Sequence, residues 1–216
     1  MSVITIERKV LARNDEIAAA NRALFRKHKL FVINVVSSPG SGKTSLIEQT
    51  LKRLADRLPV AVIEGDVQTD LDAQRVARYS VPVVQIVTNG GCHLEAKLVQ
   101  DALSALDLGA ARLLIIENVG NLVCPSNYDL GEHLKVVVAS TTEGDDKPLK
   151  YPAMFRNAGV LVVNKIDLVP YVNCDPGTLR ANALSINPSL IVFETSCTTG
   201  HGIDLWCDWL FAQSSS

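Results

Sequence analysis

The sequence predicts an α/β fold, a doubly wound and mostly parallel sheet with helices on both faces. Three observations predict it. Short apolar runs alternate with helical patterns along almost the whole chain. The runs are rich in β-branched residues and nearly continuous, as in strands buried on both faces of a parallel sheet. The first run passes through a glycine-rich turn directly into a helix, and ligands of such folds bind outside the carboxyl ends of the strands.

The first expected element is an amphipathic helix over residues 12–27, with Ile17, Ala20, Leu24 and Phe25 at helical spacing. Strands are expected near 31–36, 60–64, 83–87, 112–116, 134–139, 159–163 and 189–194. Helical patterns fill the intervals near 43–57, 71–79, 94–106, 148–157, 176–185 and 203–211. No internal repeat interrupts the alternation, and the one low-complexity tract is Ser214-Ser215-Ser216.

A length of 216 residues suits one α/β domain and leaves little room for a second. With 47% hydrophobic and 20% charged residues, the chain can bury a substantial core. A net charge of −2 gives no electrostatic case for nucleic acid or an anionic membrane. No apolar run approaches the roughly 20 residues that span a bilayer. The stretch Met1 to Lys9 is apolar only briefly before Glu7, unlike a signal-peptide core. The five cysteines are dispersed, and an odd number without an export signal reads as reduced thiols free to bind metal. A cytoplasmic protein is expected.

The strand Phe31-Val32-Ile33-Asn34-Val35-Val36 runs into Ser37-Ser38-Pro39-Gly40-Ser41-Gly42-Lys43-Thr44 and then a helix. This is the setting of a P-loop, in which glycines let backbone N–H groups wrap phosphate oxygens at a helix N-terminus. Gly40, Ser41, Gly42 and Ser45 would line the phosphates. Lys43 would reach the β- and γ-phosphates, and the Thr44 hydroxyl would ligate Mg²⁺. The strict pattern begins with Gly where this chain has Ser37. The division expected is a helical segment over 1–30 and a P-loop domain over 31–216.

About 120 residues further on, Asn164-Lys165-Ile166-Asp167 stands at a strand end, the Asn-Lys-x-Asp signature of GTPases. The Asp167 carboxylate can accept from both N1–H and the exocyclic amine of guanine, whereas adenine would leave that charge unsatisfied. Lys165 would lie along the purine face, and Asn164 would tie the loop back to the phosphate loop. Ser196-Cys197 follows the last strand, where a GTPase closes over its base. Asp66 and Glu117 also end strands, and hard carboxylate oxygens suit Mg²⁺. Asp66-Val67-Gln68-Thr69-Asp70 reads as a first switch, in which Asp66 either orients the attacking water or holds Mg²⁺. Asp70 and Asp72 are weaker, solvent-facing candidates. Glu117-Asn118-Val119-Gly120 reads as a second switch, whose Gly120 senses the γ-phosphate through its N–H. Glu117 replaces the usual Asp there, which favours metal contact through water.

Cys92-His93 follows Gly90-Gly91, and Cys124 follows Gly120. Thiolate and imidazole suit Zn²⁺, Ni²⁺ or Cu, but without a Cys-x-x-Cys pair the spacing leaves open both a metal site and ordinary thiols. Only seven residues separate Glu117 from Cys124, a reach of at most about 25 Å, so Cys124 rides on the second switch. Cys174, Cys197 and Cys207 read as structural, His28 as solvated, and His133 and His201 as remote candidates for a ligand.

Together these residues resemble the GTPase of nickel-iron hydrogenase maturation, the HypB-type nickel-insertion family. The resemblance covers the chain from about Asn34 onward. It rests on residues 37–44, Glu-Gly-Asp-Val-Gln-Thr-Asp-Leu-Asp at 64–72, Gly-Gly-Cys-His-Leu-Glu-Ala at 90–96, Glu-Asn-Val-Gly-Asn-Leu-Val-Cys-Pro at 117–125, Thr-Glu-Gly-Asp-Asp-Lys-Pro-Leu-Lys-Tyr-Pro at 142–152 and Asn-Lys-Ile-Asp at 164–167. Ser37 is the family's own form of the loop. The resemblance implies a Ni²⁺ or Zn²⁺ site on Cys92, His93 and Cys124. It further implies a homodimer linked to GTP and metal, a partner nickel chaperone and the hydrogenase large-subunit precursor. Some relatives carry an N-terminal Cys-x-x-Cys-type site or a His-rich tract, and some place further His where Lys97 and Asp101 stand here. Storage of several ions is therefore not expected.

Three rival readings remain at this level. A urease-maturation GTPase shares the reaction but carries Cys-Pro-His in place of Cys92-His93. A P-loop kinase for a small molecule fits poorly with the Asn-Lys-x-Asp loop and the lack of an Arg-rich lid. A metal-binding dimer scaffold would hold nucleotide without hydrolysing it.

Overall fold

The computed structural model describes residues 6–68 and 71–215, which leaves Asp70 outside the described residues. Among these residues seven strands form one sheet: β1 (Phe31–Ser37), β2 (Val60–Asp66), β3 (Val83–Val87), β4 (Leu113–Glu117), β5 (Leu134–Ser140), β6 (Val160–Asn164) and β7 (Ile191–Glu194). Their order is β3-β2-β4-β1-β5-β6-β7, and every pairing is parallel. The chain moves outward on one side of β1 through β2 and β3, returns as β4, then continues on the other side from β5. This reversal puts a crevice at the carboxyl end of β1.

Among the described residues eight α-helices cover the sheet: α1 (Ile6–His28), α2 (Lys43–Leu54), α3 (Leu71–Ala77), α4 (Ala96–Leu103), α5 (Lys147–Lys150), α6 (Pro152–Arg156), α7 (Pro176–Ile186) and α8 (Ile203–Ser214). Alternate strand residues divide between two layers, as a period of two requires. Ile33, Val35, Val62, Ile115, Val138 and Val162 pack with Leu46, Leu51, Val76, Trp206 and Leu210 of α2, α3 and α8. On the opposite face, Val32, Ile63, Leu114 and Ile116 meet Phe25 of α1 and Val99 of α4, while Val137, Leu161 and Val163 meet Phe155 and Leu179 of α6 and α7. Each large apolar side chain so buried contributes about 1.5–3 kcal/mol. Trp206 is the largest of them, and Thr50 Oγ1 accepts its indole N–H at 2.9 Å.

The structure corrects three details of the expected pattern. The buried stripe of α1 is Asn14, Ala18, Asn21 and Phe25, while Ala20 faces solvent. Two asparagines lie inward because they satisfy backbone groups: Asn14 accepts from Ala96 N and donates to Asp129 O, and Asn21 donates to Ala96 O and Leu130 O. The helix expected over 148–157 divides into α5 and α6, because Pro152 holds Tyr151 out of helical geometry. Finally, α4 starts at Ala96, with Glu95 extended at φ −108° and ψ 157°, so Cys92 and His93 lie on irregular backbone before it.

Candidate functional site

The turn after β1 wraps a cleft of about 490 Å³. Gly42 caps α2 at φ +97°, and a Cβ there would lie 2.5 Å from Asn164 Nδ2, so both backbone and space demand glycine. Asn164 donates to Ser41 O at 3.0 Å and Lys165 to Gly40 O at 2.7 Å, joining the 164–167 loop to the phosphate loop. Ser41 Oγ donates to Glu143 Oε2 at 2.7 Å. Burial would push the Glu143 carboxyl up, but the Ser41 hydroxyl and Ser140 N–H outweigh it and hold the group below its ordinary range. Gly40, Gly42, Lys43, Thr44, Ser45, Asp66, Glu117, Gly120 and Lys165 all line the cleft.

Lys43 is buried, with its ammonium 3.1 Å from Ser37 Oγ and 3.9 Å from Glu117 Oε1. Thr44 Oγ1 donates to the same Glu117 oxygen at 2.9 Å, and Glu117 Oε2 is buried without a partner. A buried carboxylate oxygen beside a threonine hydroxyl, with the Glu64 carboxyl next to it, is a donor set that fits Mg²⁺, directly or through water. Asp66 sits at the mouth, its Oδ1 accepting from Gln68 N at 2.9 Å. Gly120 closes the cleft from the β4 side, so near Pro39 that a Cβ would press on its backbone at 3.2 Å.

Sequence reasoning missed two residues here. Glu64 lies opposite Glu117 in the β2–β4 register and is buried; burial first, then the neighbouring Glu117 charge, pushes its carboxyl up to about 10. A carboxylate inside an otherwise apolar strand was the available signal. Burial likewise raises Glu117, with the Lys43 charge opposing. Arg75 also lines the cleft, paired with Glu48 at 2.5 Å and Asp72 at 3.0 Å. No spacing in the sequence singles it out.

At the base side, Lys165 takes a left-handed conformation at φ +61°, and Thr141 Oγ1 holds its carbonyl at 2.7 Å. Asp167 Oδ1 is buried without a partner. Cys197 Sγ lies 3.4 Å from Asn164 Oδ1, which also accepts from Thr195 Oγ1. The buried Ser196 caps the following turn by accepting from Thr199 N at 3.1 Å. Of these residues Lys165 lines the cleft, while Asn164 links the phosphate loop to Thr195 and Cys197 behind it.

Cys92, His93 and Cys124 converge although 32 residues separate the two thiols. Their ligand atoms all lie within 4.8 Å of one another, and among the described residues they form the one His/Cys/Asp/Glu group so arranged. Both thiols are free; the sulfurs are 2.8 Å apart and Cys92 Sγ is 3.5 Å from His93 Nδ1. Tetrahedral bonds near 2.3 Å would spread two sulfurs to about 3.8 Å, so an ion would open the pair by about 1 Å. The Tyr128 ring packs on His93 with centroids 4.0 Å apart, and burial holds the imidazole below its ordinary range, in the neutral form that ligates metal. The hydrogen bond to Cys124, then burial, raises the Cys92 thiol, so binding an ion would release protons. Burial pushes Cys197 and Cys207 up to about 11 and about 12, as suits inert thiols. His133 Nδ1 accepts from Val32 N at 3.0 Å, a structural role.

Residues 31–194 match the family described as CobW/HypB/UreG, nucleotide-binding domain. The chain is 49% identical over 98% of its length to the hydrogenase maturation factor HypB of Escherichia coli K12, covering 73% of that protein. It is 42% identical to a probable hydrogenase maturation factor HypB of Methanocaldococcus jannaschii, over 94% of this chain and 92% of that one. The crystal structure of HypB from Helicobacter pylori in complex with nickel superposes with a TM-score of 0.89 at 37% identity, covering 94% of this chain and 95% of that one. With its phosphate loop, its Asn-Lys-x-Asp loop and this similarity over nearly its whole length, the chain belongs to the CobW/HypB/UreG family of P-loop GTPases and is of the HypB type.

Proposed function

We propose that the chain hydrolyses GTP with Mg²⁺ and uses the hydrolysis to switch a nickel site, delivering Ni²⁺ to the large-subunit precursor of a nickel-iron hydrogenase. One observation carries this reading. Glu117 and Gly120, which line the nucleotide cleft, and Cys124, which contributes to the thiol site, lie on a single short segment. A γ-phosphate that positions Gly120 therefore bears on the geometry of the Cys92–His93–Cys124 group. The relative from Helicobacter pylori was solved in complex with nickel, which supports Ni²⁺ as cargo, and Zn²⁺ suits the same Cys₂His donors.

In this reading Mg²⁺ supplies charge neutralisation when bound, held by Thr44 with Glu117. Lys43 balances charge on the transferring phosphoryl group, and the phosphate-loop N–H groups orient it. Asp167 reads guanine, Lys165 covers its face, and Ser196 and Cys197 close around it. Three ligands per chain leave a coordination position for water or for a second subunit, which supports a homodimer linked to GTP and metal. A partner nickel chaperone would load the site. Among the described residues no helix is long and apolar enough to cross a membrane, and the −2 net charge favours no nucleic-acid partner.

The decisive experiment is Ni²⁺ titration of the GDP form and of the form loaded with a non-hydrolysable GTP analogue. Linkage requires nucleotide and metal to change each other's affinity by one common factor, about 5- to 150-fold for a typical coupling. The wild type should show such a shift, and Cys124→Ala should abolish it. Equal Ni²⁺ affinities in the two wild-type states would leave a GTPase with a structural metal beside it.

The role of Asp66 has its own test. Asp66→Ala is expected to lower kcat about tenfold or more while changing GTP affinity little, because positioning water or metal matters most in the transition state. Wild-type turnover in this variant would pass the role to Glu117.

A further inference from the structure

Two asparagines on the segment after β4 grip the Cys92–His93 loop at different points, and they are anchored differently. Asn118 is buried and fixed to the sheet. Its N–H donates to Val35 O at 2.9 Å, and its Nδ2 donates to Asn34 Oδ1, which belongs to β1. Asn34 in turn donates to Glu132 Oε1 at 3.1 Å. From this fixed position Asn118 Oδ1 accepts the N–H of Leu94 at 3.0 Å, and Leu94 is itself fully buried. The residue after His93 is therefore pinned to the buried core.

Asn121 stands beyond Gly120 and is partly exposed. Its Nδ2 donates to the carbonyl of Cys92 at 3.2 Å, and its Oδ1 accepts from Val123 N at 2.8 Å, one residue before Cys124. One side chain thus bridges the backbone of one sulfur ligand to the backbone beside the other. His93 lies between the two grips, with Cys92 held by Asn121 and Leu94 held by Asn118.

We propose that Asn121 is the positioning residue that makes Cys92 travel with Cys124 when the segment after Gly120 shifts, so that nucleotide state is read at the metal through His93. The sulfur pair moves as a unit and keeps its separation. The imidazole, tethered through Leu94 to the sheet, is the arm whose distance to the ion changes. The inference rests on the nucleotide-switched nickel site proposed above and adds which ligand responds.

The test is Ni²⁺ titration of wild type, Asn121→Ser, Asn121→Ala and His93→Ala, each loaded with GDP or a non-hydrolysable GTP analogue. A serine hydroxyl can still cap Val123 N but is too short to reach the Cys92 carbonyl. Without the strap Cys92 stays with His93, and the same shift now separates the sulfurs. The ratio of Ni²⁺ affinities between the two states should rise about three- to tenfold in both Asn121 variants, the size of one lost neutral hydrogen bond. In His93→Ala the ratio should fall towards one, because the remaining sulfur pair moves intact. GTP affinity without metal should stay at the wild-type value in Asn121→Ser, a readout that general damage to the fold would move. A wild type that shifts while Asn121→Ser shifts by the same ratio overturns the strap alone. So does a ratio that survives His93→Ala. A wild type with one Ni²⁺ affinity in both states overturns the switch reading, and the strap with it.

Discussion

Lys43→Ala is expected to lower GTP hydrolysis by about a hundredfold or more. Lys43 is a buried cation at the phosphate loop, 3.9 Å from the carboxylate of Glu117. Removing it takes away the charge that balances the transferring phosphoryl group. It also leaves Glu117 buried without its cation, in a site where burial already disfavours ionisation. Both effects weaken the site, the first in the transition state and the second through the carboxylate proposed to hold Mg²⁺. Single-turnover hydrolysis at saturating Mg²⁺, with circular dichroism to show an intact fold, measures the loss. Hydrolysis within about threefold of wild type would mean that another cation at the loop, Lys165 or Lys147, carries the charge; Lys147 Nζ is 3.3 Å from Ser38 Oγ.

The second large effect is expected at the base. Asp167→Asn should weaken GTP binding by about 3 kcal/mol, since a charged acceptor facing two donors becomes a neutral amide with a mismatched donor. That is roughly a hundredfold in Kd. The buried, unpartnered Asp167 Oδ1 makes the expectation specific, because an acceptor placed there without a donor costs stability until a ligand supplies one. The variant should also gain affinity for xanthine nucleotide, whose base offers a carbonyl where guanine offers an amine. Competition of GTP and XTP for the same protein gives both numbers in one experiment. Unchanged discrimination would take Asp167 out of the base site.

Much of this was legible in the sequence because the signals are local. A phosphate loop needs its glycines, lysine and threonine within eight residues, and the flanking strand and helix announce themselves by periodicity. All seven strands lie where apolar, largely β-branched runs predicted them; the five inner strands are buried along nearly their whole length, and the edge strands β3 and β7 only in part. Several misses are polar residues buried for reasons that lie far along the chain, whereas the division of the helix at Pro152 has a local cause. Asn14 and Asn21 joined Ala18 and Phe25 on the buried face of α1 because backbone groups of Ala96 and Leu130 needed partners. Glu64 was visible as a carboxylate inside an apolar strand, but its pairing with Glu117 needed the register. The thiol group needed the sheet order as well. β3 and β4 flank β2, and their following loops meet at one edge of the crevice, which no spacing between positions 92 and 124 reveals.

The hydrogen bond from Asn164 to Ser41 spans 123 residues of chain. On a ribosome, which releases a chain from its N-terminus at about 5–20 residues per second, the two ends of the cleft are born at different times. The phosphate loop emerges with the first strand, while the proposed guanine contacts wait for β6 and the turn after β7, the last of the described strands to be made. A nascent chain can therefore touch a triphosphate well before it can grip a nucleotide by its base. Tight GTP binding becomes possible only when the far edge of the sheet has docked, and from then on the ligand adds its binding energy to the folded state alone. With those contacts, bound GTP would stabilise the completed sheet and act as a late ballast against reopening of its last-made edge.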